Sequence, residues 1–338
     1  MAEKILYILG AGASVKGLPL AKSVWGNNLD PIIQGLAYSL KTTDLKNISS
    51  EMKTKEQSLV IIEMQERFRS LAIKADEFGD VDTYAKYLNL MHPGGKDIIE
   101  LKRTLSEYFI IKQKGFNAID SRYLPWLVSI MTKKTFPENV KILSWNYDFQ
   151  VELAAAQIGV MEDVEHIEST FTYSPSTFLS YPNLDPTFRD YDSLSLIHLN
   201  GIAGFFKSSN LKRASAFQKK YSENMDLLAS FLKENADKTQ LHFAWEKSEY
   251  HSELMDHVKS MIDGTTILVV IGYSFPFFNR EIDKQIFNSI KNTTAFERIY
   301  YQDPILTGQQ LKSQFQLSPN IDITHISNTN NFYIPFEY

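Results

Sequence analysis

The feature that most constrains the fold of this 338-residue chain is an apolar run that leads directly into a glycine turn near its start. Ile5–Leu9 has the length and composition of a buried strand, and Gly10-Ala11-Gly12-Ala13-Ser14 follows at once. Glycines there let the backbone approach an anionic group, and a helix that followed would aim its N–H groups at it. An ordinary strand-to-helix turn would need the same glycines, so by itself the turn leaves both interpretations open.

Short β-branched runs that end in Gly, Asn, Ser or Asp recur along the chain, and helical patterns follow the later ones. This alternation predicts an α/β fold, a Rossmann-like doubly wound parallel sheet with a helical insertion domain. The later strands are predicted at Val140–Ser144, Ser195–Leu199, Ile267–Ile271 and Ile299–Tyr301, and helices at Phe277–Lys291 and Leu306–Phe315.

The stretch between the first two predicted strands has helical periodicity and almost no strand signal. We therefore predict a helical insertion or lid at residues 29–136, and a core domain formed by residues 1–28 and 137–338. A second, smaller insertion at residues 203–251 is also predicted to be helical, with a charged stretch at residues 217–237.

Composition excludes several classes of function. The chain has no cysteine, which removes disulfides, a thiolate nucleophile and a four-cysteine zinc ribbon. A net charge of −5 disfavours sequence-independent binding to nucleic acid. No apolar run approaches the length of a membrane span, and the amino-terminal run resembles a strand more than a signal peptide. We expect a cytoplasmic protein with no metal, no membrane contact and no direct nucleic-acid contact.

Polar side chains stand at the ends of two predicted strands. Asn146 and Asp148 follow Val140–Ser144, where they could hold a ribose hydroxyl or a water, because ligands of open α/β sheets lie beyond the carboxyl ends of the strands. His198 ends the next strand and could act as a general base. The alternatives are that Asp148 or Asn146 caps the next helix and that His198 is structural.

Two later strand ends carry weaker signals. Gly272 and Ser274 could make a second phosphate or ribose contact, although Ser274 could equally cap a helix. Gln302 and Asp303 could bind an adenosine ribose, which is the weakest of these interpretations.

Taken in order, these blocks resemble the sirtuin superfamily, whose pattern is a Gly-Ala-Gly-Ala-Ser turn, Asn-x-Asp, His-Gly and a later Gly-x-Ser. Two departures from this pattern indicate a particular branch of the superfamily. Leu199-Asn200 separates His198 from Gly201, and the zinc-binding cysteines of the protein deacylases are missing. The chain therefore looks like the bacterial sirtuin-like NADases, whose members commonly act as effectors of anti-phage defence.

This resemblance implies that NAD is the substrate and that the nicotinamide N-glycosidic bond is cleaved to give nicotinamide and ADP-ribose or a cyclic form. It assigns His198 as the base, Asn146 to water and ribose, and Asp148 to the ribose or its developing charge. Because constant NAD destruction would be toxic, we also expect a regulatory or sensor partner protein, a homo-oligomer, or both. The residues implied for NAD binding are Gly10, Ala11, Gly12, Ala13, Ser14, Gly272, Ser274, Gln302 and Asp303.

Three other functions remain open from the sequence. An NAD-dependent protein deacylase would need a peptide groove without the zinc module, and a non-catalytic subunit could bind NAD or ADP-ribose without turnover. A hydride-transfer dehydrogenase is weakened because Val15 stands where the dinucleotide fingerprint has its third glycine.

Overall fold

The computed structural model describes most of the chain. The described residues are 3–25, 31–50, 52–131, 136–158, 173–174, 195–206, 213–214, 225–234, 239–246, 251–291 and 295–338.

A seven-stranded sheet forms the centre of the protein, and every neighbouring pair of its strands is parallel. The strands of this sheet are β1 (Ile5–Leu9), β4 (Val140–Ser144), β5 (Tyr173–Ser174), β6 (Leu196–His198), β10 (Ile267–Ile271), β11 (Arg298–Gln302) and β12 (Asp322–Ile326). Along the sheet the order is β12-β11-β10-β1-β4-β6-β5, and helices flank it, so the predicted Rossmann-like doubly wound α/β fold is confirmed.

Helices cover both faces of the sheet, and successive side chains of the buried strands alternate between the two faces. On β1, Tyr7 belongs to one hydrophobic cluster and Ile8 to the other. The α-helices are α1 (Leu36–Thr42), α2 (Lys46–Ser50), α3 (Lys55–Phe78), α4 (Val81–Met91), α5 (Lys96–Lys114), α6 (Tyr123–Ile130), α7 (Gln150–Ile158), α8 (Met225–Glu234), α9 (His251–Ile262), α10 (Arg280–Lys291) and α11 (Gln310–Gln314).

The segment predicted as a helical insertion contains α1 to α6, together with β3 of a short antiparallel pair, β2 (Val24–Trp25) and β3 (Pro31–Ile33). Its buried residues, such as Phe68 and Leu105, belong to the same hydrophobic cluster as Tyr7 of the central sheet. The helices therefore pack directly on one face of the sheet and share its core.

The second predicted insertion differs from expectation. It contains a three-stranded antiparallel sheet in the order β8-β7-β9, so the prediction of a helical segment is wrong for these residues. Of the charged stretch at residues 217–237, α8 is described, and the rest lies outside the described residues. The strands are β7 (Gly201–Phe206), β8 (Arg213–Ala214) and β9 (Thr239–Leu241).

The aromatic carboxyl terminus folds back over the sheet. The ring of Phe332 is buried in edge-to-face contacts with Tyr123 and Trp126 of α6. Tyr338 donates its hydroxyl hydrogen bond to the backbone oxygen of Ile130. This segment covers part of the face that carries α6.

Among the helices in the described part of the chain, none has the length and apolar composition needed to cross a bilayer.

Candidate functional site at the carboxyl edge of the sheet

Four of the predicted polar or glycine blocks lie side by side at the carboxyl edge of the sheet, beyond β6, β4, β1 and β10. Strands β4 and β6 lie on one side of β1. Strands β10, β11 and β12 lie on its other side, so the strand order reverses between β1 and β10. In open α/β sheets this switch point is where ligands bind. Topology therefore brings the four blocks together at the edge where a ligand is expected.

The glycine turn after β1 forms a single 3-10 turn, Ala11–Ser14, and not the start of an α-helix. The turn therefore does not present the N-terminus of an α-helix to an anion. Three amides of the turn donate inside the protein: Gly10 N to Ile271 O at 3.0 Å, Gly12 N to Gly272 O at 2.9 Å, and Ala13 N to Gly10 O at 2.8 Å. The pyrophosphate cradle predicted from the sequence, which also includes Ala11 and Ser14, stays a prediction.

The glycines of the turn allow the ends of β1 and β10 to come into backbone contact. A Cβ at Gly12 would lie 2.7 Å from the Cα of Gly272, and one at Gly10 would lie 2.6 Å from the oxygen of Gly272. Gly272 itself has φ +58°, a left-handed conformation that glycine adopts without strain. Packing between the two turns is therefore sufficient reason for these glycines.

Asn146 connects the end of β4 to the glycine turn. Its Nδ2 donates to Gly10 O at 2.9 Å and to Ser14 Oγ at 3.3 Å, and the side chain is 7% exposed. Ser14 Oγ also lies 2.9 Å from the hydroxyl of Tyr123 on α6. The side-chain amide hydrogens of Asn146 therefore fix the turn. The side-chain carbonyl oxygen of Asn146 takes no part in these two bonds.

His198 lies between two hydrogen-bond acceptors. Its Nε2 is 2.8 Å from Oε1 of Glu152 on α7, and its Nδ1 is 3.3 Å from the backbone oxygen of Asn146. A backbone oxygen can only accept, so Nδ1 donates to it, and in the charged form of His198 Nε2 donates to the carboxylate of Glu152. Burial lowers the pKa of His198, but the charge and hydrogen bond of Glu152 outweigh burial and hold it above its usual value. His198 is a base only after losing one of these protons.

Asp148 is buried two residues beyond Asn146. Its Oδ1 accepts from the N–H of Gln150, the first residue of α7, at 3.1 Å, so the carboxylate is used at the start of that helix. Burial raises the pKa of Asp148 to about 6, against hydrogen bonds from Ser14 and Gln150 and the charge of His198. Asp148 and His198 therefore interact electrostatically at the same end of the sheet.

The remaining predicted residues lie at the same edge but differ in their environments. Ser274 is exposed and does not cap a helix, because the short 3-10 turn that follows begins after Pro276. Asp303 accepts from two backbone N–H groups of its own turn, at 2.8 Å and 2.7 Å. Gln302 donates to the backbone oxygens of Asn328 and Asn331, at 2.6 Å and 2.7 Å, and accepts from a third backbone group. These contacts favour a structural role for Gln302 over the predicted ribose contact.

Sequence reasoning missed two residues that hold this site together. Glu152 is completely buried on the first turn of a helix that carries no other charged residue, and that isolated charge was the available signal. Arg122 is also buried and donates to the oxygens of Gly12 and Ala13, at 3.1 Å and 3.0 Å, while it pairs with Asp120 at 2.6 Å. Asp120 is two residues away from Arg122, but the backbone oxygens that Arg122 holds lie far along the chain, so the local sequence does not indicate this role.

The first turn of α4, in the predicted insertion, contacts the site directly. Asp82 accepts a hydrogen bond from the hydroxyl of Tyr147, between Asn146 and Asp148, at 3.3 Å. The neighbouring Asp80 pairs with Lys22, beyond the glycine turn, at 3.0 Å. Movement of α4 would therefore alter the contact between Asp82 and Tyr147.

A surface cavity of about 330 Å³ lies away from this site, between α2 and α3. Its lining contains none of the predicted site residues and includes Leu45, Ile61 and Arg69. Within the described ranges, no group of three or more histidine, aspartate or glutamate side chains is arranged to hold a metal ion.

The fold and the edge define a doubly wound α/β protein with polar groups gathered at its topological switch point. No protein-family model matches the chain, and a search of curated proteins finds no match either. The assignment of function therefore depends on the residues and their geometry.

Proposed function

We propose that this chain is a sirtuin-like NAD hydrolase that cleaves the bond between nicotinamide and ribose. The observation that carries the proposal is the convergence of the glycine turn, Asn146, Asp148 and His198 at one strand edge, linked by hydrogen bonds. A sequence resemblance spread from residue 10 to residue 274 is thus supported by a spatial cluster at the edge where an α/β protein binds its ligand.

The chemistry suits this set of side chains. Nicotinamide leaves as a neutral ring from a cationic pyridinium, so no strong general acid is needed, unlike in ordinary glycoside hydrolysis. The oxygen of water bonds to C1′ of the ribose, the C1′–N bond breaks with its electron pair going to nicotinamide, and the water proton passes to His198 in its neutral form. Asn146 positions the water and ribose, and Asp148 stabilises the positive charge that develops on the ribose.

Regulation forms part of the proposal. His198 is 1% exposed, and Asn146 and Asp148 are each under 10% exposed, so substrate reaches them only after the site opens. An effector of anti-phage defence in the cytoplasm would need such a closed resting state. We expect a sensor partner or self-assembly to open it, and the contact between Tyr147 and Asp82 links the site to the segment that would move.

The test is to incubate the purified chain with NAD, alone and with co-purifying partners, while following nicotinamide, ADP-ribose and cyclic products. His198→Ala and Asn146→Ala should abolish NAD loss while leaving thermal unfolding cooperative. The matched control is His325→Ala, because His325 lies on an edge strand and bonds only to the backbone oxygen of Asp303 among the described contacts. Parental activity in the His198→Ala protein would refute the assignment.

A second candidate, an NAD-binding or ADP-ribose-binding subunit without turnover, is favoured by one observation. Both ring nitrogens of His198 already contact protein oxygens, so in this arrangement neither one faces a substrate water. Binding measured by calorimetry, without nicotinamide release alone or with any co-purifying partner, would select this function.

A further inference from the structure

Asn200 lies in the turn that leads from β6 to β7, two residues after His198. Three hydrogen bonds join this turn to the end of β4: Leu199 N to Ser144 O at 2.8 Å, Asn200 Nδ2 to Trp145 O at 3.3 Å, and His198 Nδ1 to Asn146 O at 3.3 Å. Asn200 is therefore held against the residue that immediately precedes Asn146.

The orientation of the Asn200 amide follows from its partner. A backbone oxygen can only accept, so the NH₂ group must face Trp145, and Oδ1 points away from it. Asn200 is 6% exposed, and its Oδ1 is buried without a hydrogen-bond partner among the described residues. Buried polar groups in folded proteins nearly always have a partner, so an orphan acceptor of this kind needs an explanation.

The turn has little freedom to place Asn200 elsewhere. Gly201 has φ +72°, and a Cβ there would lie 2.2 Å from the backbone oxygen of Gln240. The backbone oxygen of Asn200 also accepts from His242 N at 2.8 Å. Glycine at 201 therefore fixes the register of the turn, and Asn200 occupies the position directly before this obligatory glycine.

We propose that Oδ1 of Asn200 accepts a hydrogen bond from a donor on the nicotinamide riboside half of NAD, so that Asn200 contacts the substrate. This inference depends on the proposed function, because it identifies a further residue of the same site. The donor is a ribose hydroxyl or the carboxamide N–H of nicotinamide, and both belong to the half of NAD that meets His198. The amide hydrogens of Asn146 are already used by Gly10 and Ser14, whereas Oδ1 of Asn200 has no partner among the described residues.

The experiment compares Asn200→Leu with Asn139→Leu. Asn139 also donates one side-chain hydrogen bond to a backbone oxygen, that of Glu3 at 2.9 Å, but it lies at the opposite edge of the sheet. The affinities for NAD and ADP-ribose are measured by calorimetry, and KM and kcat are measured from nicotinamide release. Asn200→Leu should show a roughly five- to tenfold weaker affinity and a higher KM, and Asn139→Leu should show neither change. Asn200→Ser, which is too short to reach the same position, replaces Asn200→Leu if thermal melting shows that the leucine variant is unfolded.

The pattern of losses identifies the donor. Equal weakening for NAD and ADP-ribose supports a ribose hydroxyl, whereas weakening for NAD alone supports the carboxamide. Affinities equal to those of Asn139→Leu would overturn this inference and leave the proposed function intact. If the unmutated protein with its co-purifying partners neither binds nor cleaves NAD, the proposed function fails, and this inference fails with it.

Discussion

Replacing Arg122 by methionine should destabilise the protein by breaking a buried ion pair that also fixes the glycine turn. Arg122 and Asp120 lie 2.6 Å apart, with side chains 3% and 0% exposed. The guanidinium also donates to the backbone oxygens of Thr329, Gly12 and Ala13 at 3.0 to 3.1 Å. Removing one member of a buried pair costs about 3–5 kcal/mol, because the remaining charge is left uncompensated.

The expected loss lies near the lower limit, at about 3 kcal/mol, because Asp120 keeps two other donors. These are the backbone N–H groups of Lys16 and residue 122, at 2.9 Å and 3.0 Å. Urea unfolding followed by circular dichroism measures the change as a shift in midpoint at constant m-value. The double variant Arg122→Met with Asp120→Asn should recover about 1–2 kcal/mol, because the unpaired charge is gone. A loss below about 1 kcal/mol in Arg122→Met, or no recovery in the double variant, would refute the reasoning.

Three further predictions concern the site and its supports. Glu152→Gln removes the charge that holds the pKa of His198 up, so the acid limb of kcat/KM for NAD cleavage should move to lower pH in a pH–rate profile. Gly201→Ala should cost at least about 2 kcal/mol in urea unfolding, because the added Cβ meets backbone at 2.2 Å in a left-handed residue. Phe332→Ala should cost about 3 kcal/mol in the same assay, because its ring is 5% exposed.

The glycine and phenylalanine predictions each have a matched control in the chain. Gly94→Ala has a similar φ of +67° with nothing within 4 Å of the added Cβ, so it should cost only about 1 kcal/mol. Phe336→Ala should change stability by under about 0.5 kcal/mol, because Phe336 is 79% exposed. Equal losses within either glycine or phenylalanine pair would contradict the packing argument. An unchanged acid limb in Glu152→Gln would show that Glu152 does not control the proton of His198.

The strands that could be predicted were those whose residues are buried on both faces. Ile5–Leu9 and Ile267–Ile271 read as continuous apolar runs, and their boundaries agree with the structure. The edge strand Asp322–Ile326 begins with an exposed aspartate and has three half-buried residues, so it lacks that signal. The antiparallel pairing of β7 with β9 was also missed, because these short strands pair with residues from distant parts of the chain.

The candidate site divides in the same way. The sequence by itself determined the doubly wound fold and the polar residues at strand ends, because burial and turn chemistry are properties of short segments. Only the tertiary structure decided that Glu152 pairs with His198, that Arg122 holds the glycine turn, and that Asn200 keeps an oxygen with no partner among the described residues. Those contacts join residues up to 110 positions apart, and no local pattern specifies which distant side chain completes a hydrogen bond. The glycine turn illustrates both halves, because its position is local while the backbone contact that requires its glycines is with Gly272.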